Sequence, residues 1–359
     1  MKKVWILLLC VVMAFSLAAC GGDKNDEENS ATAYTYEIGF LTASSSLSID
    51  DEDRIEAAWN GVRQFAEEQG KTYKYYEPEK ATAESQADRV GDAVKEGVKY
   101  IVAVGPELKD GIAKAQETYQ DVIFIYLDGT LDKVADNCVT ARFKPEQAGF
   151  LAGYGAVLEG MDNLAFYAEG KGKEAVSYGY GFLQGMNEAS YRFRRYPQVH
   201  YKYEKQDASE KDMKKIAKSW YAGGVDAVFT YGVNVFDAVK EEAEKADKVV
   251  IASNASKDYS KTVMTSARKC YEDVVATQLA AAYDGTFKGG KSLTMSIKND
   301  GVGLDMKRSK FQYFTKDQYK DICKEIEKDD VKVLSSKDAK SVDSLITAKW
   351  LYNIRINQE

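Results

Sequence analysis

Along this chain, short apolar runs alternate with longer segments whose apolar positions recur at helical spacing. The run VIFIYL over 122–127 is too short for a comfortable helix and is rich in β-branched and aromatic residues, which predicts a buried parallel strand. Similar runs predict strands over 36–41, 72–76 and 100–104. Between them, Ile55, Ala58, Trp59, Val62 and Phe65 mark one face of a helix over 54–68, and further helices are predicted over 83–96 and 109–119. The plan repeats with strands over 164–168, 198–203, 227–230 and 249–252 and helices over 175–189, 210–221 and 235–246. Such alternation predicts an α/β fold in which each parallel sheet is flanked by helices on both faces.

The two series also echo each other in letters. Gly97-Val98-Lys99-Tyr100-Ile101-Val102 with Gly105 aligns with Gly224-Val225-Asp226-Ala227-Val228-Phe229 with Gly232, and Gly61 in AWNGV matches Gly185 in FLQGM. An internal duplication accounts for both matches. The stretch 122–153, in which Pro145 opens a run of small and apolar residues, is read as the bridge between two lobes. Beyond Asn254 the chain is expected to cross back, with strands over 262–266 and 293–297 and helices over 271–284 and 316–327. The end, 331–359, has a strand-like start and an amphipathic close. The expected division is lobe 1 from 34–142 plus 262–300, and lobe 2 from 143–261 plus 301–359.

The first residues follow a different pattern. Lys2 and Lys3 precede an apolar stretch that ends in Leu17-Ala18-Ala19-Cys20, which reads as a secretory signal over 1–19 rather than a membrane span. The ending matches a bacterial lipobox, and the match implies cleavage before Cys20 and attachment of lipid to its sulfur. Residues 20–33 read as too polar to bury a core and are expected to serve as a flexible tether. The remaining 340 residues exceed what one core usually spans, consistent with two lobes.

Charge and scarce side chains narrow the function. The formal charge of −7, or −9 without Lys2 and Lys3, argues against nucleic acid as a partner. His200 is the single histidine, so a His-based metal site or Ser-His-Asp chemistry is not expected and His200 reads as structural. Cys138, Cys270 and Cys323 have no ligand-like spacing and read as small buried hydrophobes. No metal or cofactor is expected.

Candidate ligand contacts lie at predicted strand ends, where open α/β sheets take up ligands. Asp128 ends the 122–127 strand, although Asp-Gly is also an ordinary turn. Asn254 and Ser253 hold the equivalent end in the second lobe. Lys269 is read at the start of a helix, where a cation is disfavoured by the dipole and needs another reason, a ligand or simple solvation. Phe229 and Tyr231 at a strand end offer aromatic faces to a heterocycle, or to the core. Ser44, Ser45 and Ser46 follow the first strand and offer hydroxyls to a ligand, or form a solvated loop. The acidic residues Asp50, Asp51, Glu52 and Asp53 lack the spacing of a calcium loop. Gly170-Lys171-Gly172-Lys173 lacks the phosphate-loop pattern and reads as a surface turn.

Taken in order, RIEAAWNGV (54–62), FIYLDG (124–129), FKPEQAGFLAGYGAV (143–157), GFLQGM (181–186), VDAVF (225–229), VMTSARKCYEDVV (263–275), DGTFKGGKS (284–292) and NDGVGL (299–304) resemble the basic membrane protein family of ABC-transporter solute-binding lipoproteins. The better-known members are purine nucleoside receptors. The resemblance implies a two-lobed periplasmic-binding-protein type I fold with a nucleoside in the cleft. By position, it makes Asp128 an acidic contact, Phe229 a stacking ring and Lys269 a contact on the ribose side. The chain departs from the family where an Asp-Asn pair is replaced by Ala43 and Ser44. A Ser-Phe-Asn segment becomes Asp53-Arg54-Ile55, so that Arg54 is left to stack in place of a ring. An aspartate becomes Asn254, and a glycine-rich turn becomes Tyr231-Gly232-Val233-Asn234.

The expectation is a lipid-anchored protein on the extracytoplasmic face of the cell membrane, capturing a small polar solute by closure of its lobes and delivering it to an ABC permease. It is not expected to be an enzyme. Alternatives are another solute, a sugar or a carboxylate; a nucleoside hydrolase acting through Asp50, Asp51 and Asp53; or a surface sensor or adhesin of the same fold.

Overall fold

The computed structural model describes residues 35–44, 49–205, 207–253 and 260–359, with side chains from residue 54 onward in the first helix. Ser45, Ser46, Asn254 and Cys20 lie outside the described residues, as do the side chains of Asp50, Asp51, Glu52 and Asp53. All the described architecture falls in a unit beginning at Thr35.

In chain order the first lobe builds β1 (Ile38–Leu41), α1 (Ile49–Gln69), β2 (Tyr73–Tyr76), α2 (Ala83–Lys95), β3 (Tyr100–Val104), α3 (Lys109–Thr118), β4 (Ile123–Leu127) and β5 (Cys138–Phe143). The second builds α4 (Pro145–Leu158), β6 (Asn163–Glu169), α5 (Lys173–Phe193), β7 (Gln198–Glu204), α6 (Glu210–Ala222), β8 (Ala227–Tyr231), α7 (Val233–Ala246) and β9 (Val249–Ser253). The return carries β10 (Val263–Lys269), α8 (Tyr271–Tyr283), β11 (Lys291–Met295), β12 (Val302–Leu304), α9 (Lys316–Glu327), α10 (Val342–Lys349) and β13 (Arg355–Gln358). Among the described residues no helix is long and apolar enough to cross a membrane.

The sheets are ordered β11-β5-β4-β3-β1-β2 and β12-β10-β9-β8-β6-β7-β13. The run β2-β1-β3-β4-β5 in one has the same order as β7-β6-β8-β9-β10 in the other, the topological form of the letter repeat. The repeat extends to backbone: Gly97 and Gly224 turn into their strands at φ of 96° and 91°, in the left-handed region where glycine alone is unstrained. All pairings are parallel except β10 with β12. Helices cover both faces of each sheet, so that the central strands are apolar and, among the described residues, four clusters of buried side chains form.

The tightest helix pair is α4 with α5. A Cβ at Gly149, Gly153, Gly181 or Gly185 would sit about 2 Å from a carbonyl oxygen of the opposite helix, so these glycines set the distance between axes. The apolar run after Pro145 is thus a buried helix of the second lobe.

Three expectations are corrected. Strand β10, assigned with 262–300 to lobe 1, pairs with β9 in the second sheet, and it runs on through Lys269, which closes a strand rather than opening a helix. Helix α1 begins at Ile49, so the acidic quartet lies in its first turns rather than in a loop. At the end of the chain 331–334 is not a strand; α10 packs on α5, and β13 adds a polar edge strand beside β7. His200 is structural as expected, with Nδ1 2.6 Å from Glu359 Oε1 and its ring beside Trp220. Cys138, Cys270 and Cys323 are buried and unbridged.

Candidate functional site

The carboxyl ends of strands from both sheets converge on Lys269. This side chain is the last of β10 in the second sheet and only 2% of it is exposed. Its Nζ donates to Asp128 Oδ2 at 2.7 Å and to Glu174 Oε2 at 2.6 Å, and lies 3.3 Å from Tyr271 OH. Asp128 follows β4 of the first sheet, so the ion pair joins the two lobes. Glu174 comes from the first turn of α5 in the second lobe, with a third of its side chain exposed. The rings of Phe143 and Tyr271 flank the ammonium at 5.6 and 5.7 Å, supplying cation–π contact and shutting out water.

Asp128 adopts φ 55°, a left-handed conformation that aspartate tolerates better than most residues, while its backbone N–H is held by Ala141 O at 2.8 Å. This turn directs the carboxylate off the strand end toward Lys269. Tyr271 OH also donates to Asp128 Oδ2.

The electrostatics follow from this enclosure. Burial lowers the affinity of Lys269 for its proton, but Asp128 and Glu174 outweigh burial and hold the ammonium above its ordinary pKa. Burial pushes the Glu174 carboxyl up, Lys269 opposes it, and Asp128 adds to the rise. Tyr271 is raised well above its usual value by burial and then by the two carboxylates, so it remains a neutral donor.

Around this centre, Arg54 Nη2 bonds Glu107 Oε1 at 2.9 Å, placing a guanidinium from α1 beside the turn after β3. Its charge acts on both Glu174 and Tyr271. On the second sheet Glu169, the last residue of β6, accepts from Asn234 Nδ2 at 2.7 Å through Oε1, while Oε2 is buried with no partner among the described residues.

The structure brings together Asp128, Lys269 and Arg54 from the sequence candidates. Ser44 is buried just past β1. Phe229, expected as a stacking ring, is fully buried among Phe166, Tyr178 and Phe182 and so belongs to the core. Tyr231, two residues on, is only partly covered and rests against Tyr178 at 5.7 Å. Sequence reasoning missed Glu174, Tyr271 and Phe143; Glu174 follows directly on the GKGK segment read as a plain surface turn. Among the described residues no cluster of three or more acidic, histidine or cysteine side chains could hold a metal.

Residues 42–340 match the profile of the Bmp family, described as ABC transporter substrate-binding protein PnrA-like. The chain belongs to this family. Among relatives, the CD4+ T-cell-stimulating antigen of Listeria monocytogenes is 24% identical over 330 residues, covering 84% of this chain and 90% of the relative. The ABC transporter nucleoside-binding protein BmpA of Lactococcus lactis is 23% identical over 330 residues, covering 85% and 92%. Solved solute-binding proteins of ABC transporter systems from Conexibacter woesei and Aeropyrum pernix superpose with TM-scores of 0.68 and 0.67 at 13% and 18% identity. They cover 84% and 89% of this chain and 99% of their own. At that identity they speak for fold alone, the periplasmic-binding-protein type I fold implied by the sequence. As a family of substrate-binding proteins, Bmp implies a small-molecule ligand and a permease partner for this chain.

Proposed function

We propose that this chain is the lipid-anchored, extracytoplasmic receptor of an ABC importer, and that it captures a nucleoside between its lobes without transforming it. The observation that carries this reading is Lys269, buried at the meeting of two sets of strand ends and paired with carboxylates from both lobes. A solute that bonds groups of both lobes favours the closed form that a permease would recognise. Asp128, Arg54 and Tyr231 are the side chains assigned to the ligand, with Lys269 holding Asp128 and Glu174 beneath it and Ser44 just past β1; Ser45 and Asn254, also assigned to the ligand from the sequence, lie outside the described residues. Phe229 supports the site from beneath rather than stacking on a base. That the Lactococcus relative is a nucleoside-binding protein supports that solute class over a sugar.

The test is thermal unfolding of the mature chain with adenosine, inosine and guanosine against ribose, glucose and small carboxylates. A ligand at 100 times its Kd adds about 2.7 kcal/mol to stability. A shift with nucleosides alone supports the reading; a shift only with sugars or carboxylates replaces the solute and keeps the receptor. Release of free base would replace binding by catalysis. Mass spectrometry of the membrane-extracted chain checks the anchor, which requires an acylated Cys20 at the N-terminus.

A further inference from the structure

Two carboxylates, Asp128 and Glu174, bond the single ammonium of Lys269, while Arg54 is bonded to Glu107 and Glu169 stands at the end of β6. Lys269 is moreover fully engaged. An ammonium has three protons, and Asp128, Glu174 and Tyr271 occupy the three directions at 2.7, 2.6 and 3.3 Å. It therefore has no donor in reserve for an incoming anion. The oxygens left over are acceptors: Asp128 Oδ1 and Glu174 Oε1 take no hydrogen bond from a described residue, and Glu169 Oε2 is buried without a partner among the described residues.

We propose that Glu174 determines the charge class of the ligand: by neutralising Lys269 a second time it reserves the cleft for uncharged or cationic solutes rich in hydroxyl and amino donors, and rejects their phosphorylated or carboxylated forms. Asp128 alone already balances Lys269, so Glu174, when ionised against the ammonium 2.6 Å away, leaves the cluster with one net negative charge. The proposal rests on the reading of this cleft as a solute site and narrows it. It sets aside the carboxylate among the alternative solutes.

The experiment measures calorimetric Kd values of adenosine and inosine against their 5′-monophosphates, for wild type, Glu174→Gln and Glu174→Ala, with Glu188→Gln as control. Glu188 lies toward the other end of α5, paired with Arg192 at 2.7 Å. In wild type the monophosphates are expected to bind roughly 100-fold more weakly than the nucleosides, the scale of one like-charge contact a few ångströms away in a partly desolvated site. In either Glu174 variant the gap narrows about tenfold or more, while Glu188→Gln keeps it. Monophosphates that bind wild type as tightly as nucleosides, or a gap unchanged in both Glu174 variants, overturn the proposal. If neither nucleosides nor monophosphates bind, the nucleoside reading fails, and the charge class is decided by native mass spectrometry of the wild-type chain after incubation with a cell extract. A retained neutral or cationic solute then supports the proposal; a retained anion, or no retained solute, overturns it.

Discussion

Replacing Lys269 by methionine tests whether the cluster at the cleft floor is a true buried ion network. Methionine fills nearly the same space and keeps contact with the rings of Phe143 and Tyr271, so little cavity cost is expected. What disappears is the only cation bonded to Asp128 and Glu174 among the described residues. Removing one member of such a buried set leaves uncompensated charge and costs about 3–5 kcal/mol. The cost is pH-dependent with a definite sign. Glu174 already has a raised pKa, and the variant loses the main influence opposing that rise. A carboxyl raised above its unfolded value contributes stability that is present below that value, 4.5, and lost as pH climbs through the folded pKa. The variant is therefore expected to be weakest at pH 8 and to approach wild type toward pH 5. Urea unfolding at both pH values measures this, and the double variant Lys269→Met/Glu174→Gln should recover at least about 1 kcal/mol at pH 8, since adjacent charges are coupled. A single variant within about 0.5 kcal/mol of wild type at pH 8, or a deficit independent of pH, would refute the reasoning.

Two further outcomes follow from other parts of the fold. Glu146, 8% exposed in the first turn of α4, is pushed up to about 7 by burial, so its contribution is present below pH 4.5 and lost as pH rises past 7. Glu146→Gln should gain roughly 3 kcal/mol over wild type at pH 8 and little at pH 5, read from denaturation midpoints. Gly185→Ala would place a Cβ 1.9 Å from the carbonyl oxygen of Phe150 and force α4 and α5 apart, at about 1–3 kcal/mol. Gly172→Ala, with nothing within 4 Å, should stay within about 0.5 kcal/mol of wild type in the same melt.

The duplicated sheets were legible because their central strands are buried on both faces and therefore read as unbroken apolar runs. The departures have physical causes. In β10 the run Thr265-Ser266-Ala267-Arg268-Lys269 loses its apolar character, because its buried end is satisfied by ion pairs rather than by oil. The lysine's partners lie 141 and 95 residues away in sequence, beyond the reach of any local pattern. Strand β13 is missed for a related reason: Arg355-Ile356-Asn357-Gln358 joins only one neighbour and stays half open to solvent, so it carries no hydrophobic signature. Phe229 illustrates strand parity. It shares a sheet face with Tyr231, and only the residue farther along clears the core. Asp128 was legible because a strand end followed by a turn is visible in the letters; Glu174 was not, since nothing in its spacing marks a helix start that meets the other lobe.

The position of the cluster bears on how closure would be felt. The chain passes between the sheets after β5, between β10 and α8, and between β11 and β12. These crossings are tied to one another, with Lys144 N bonding Met295 O and Cys270 N bonding Gly301 O, each at 2.9 Å. Phe143 belongs to the first crossing, and Lys269 and Tyr271 flank the second, so the ion network sits beside the axis about which the lobes would turn. Points near an axis move least. In the proposed closure the bond between Lys269 and Asp128 therefore survives in open and closed forms and serves as a fixed electrostatic floor. The pairs Arg54 with Glu107 on one lobe and Glu169 with Asn234 on the other are the ones that, in that closure, a bound solute would bring toward each other. Selection by charge at the floor and closure by contacts at the rim are then distinct functions, which is why Lys269→Met is expected to alter stability and ligand class together, whereas Arg54→Ala would weaken affinity and keep the preference for uncharged over anionic solutes.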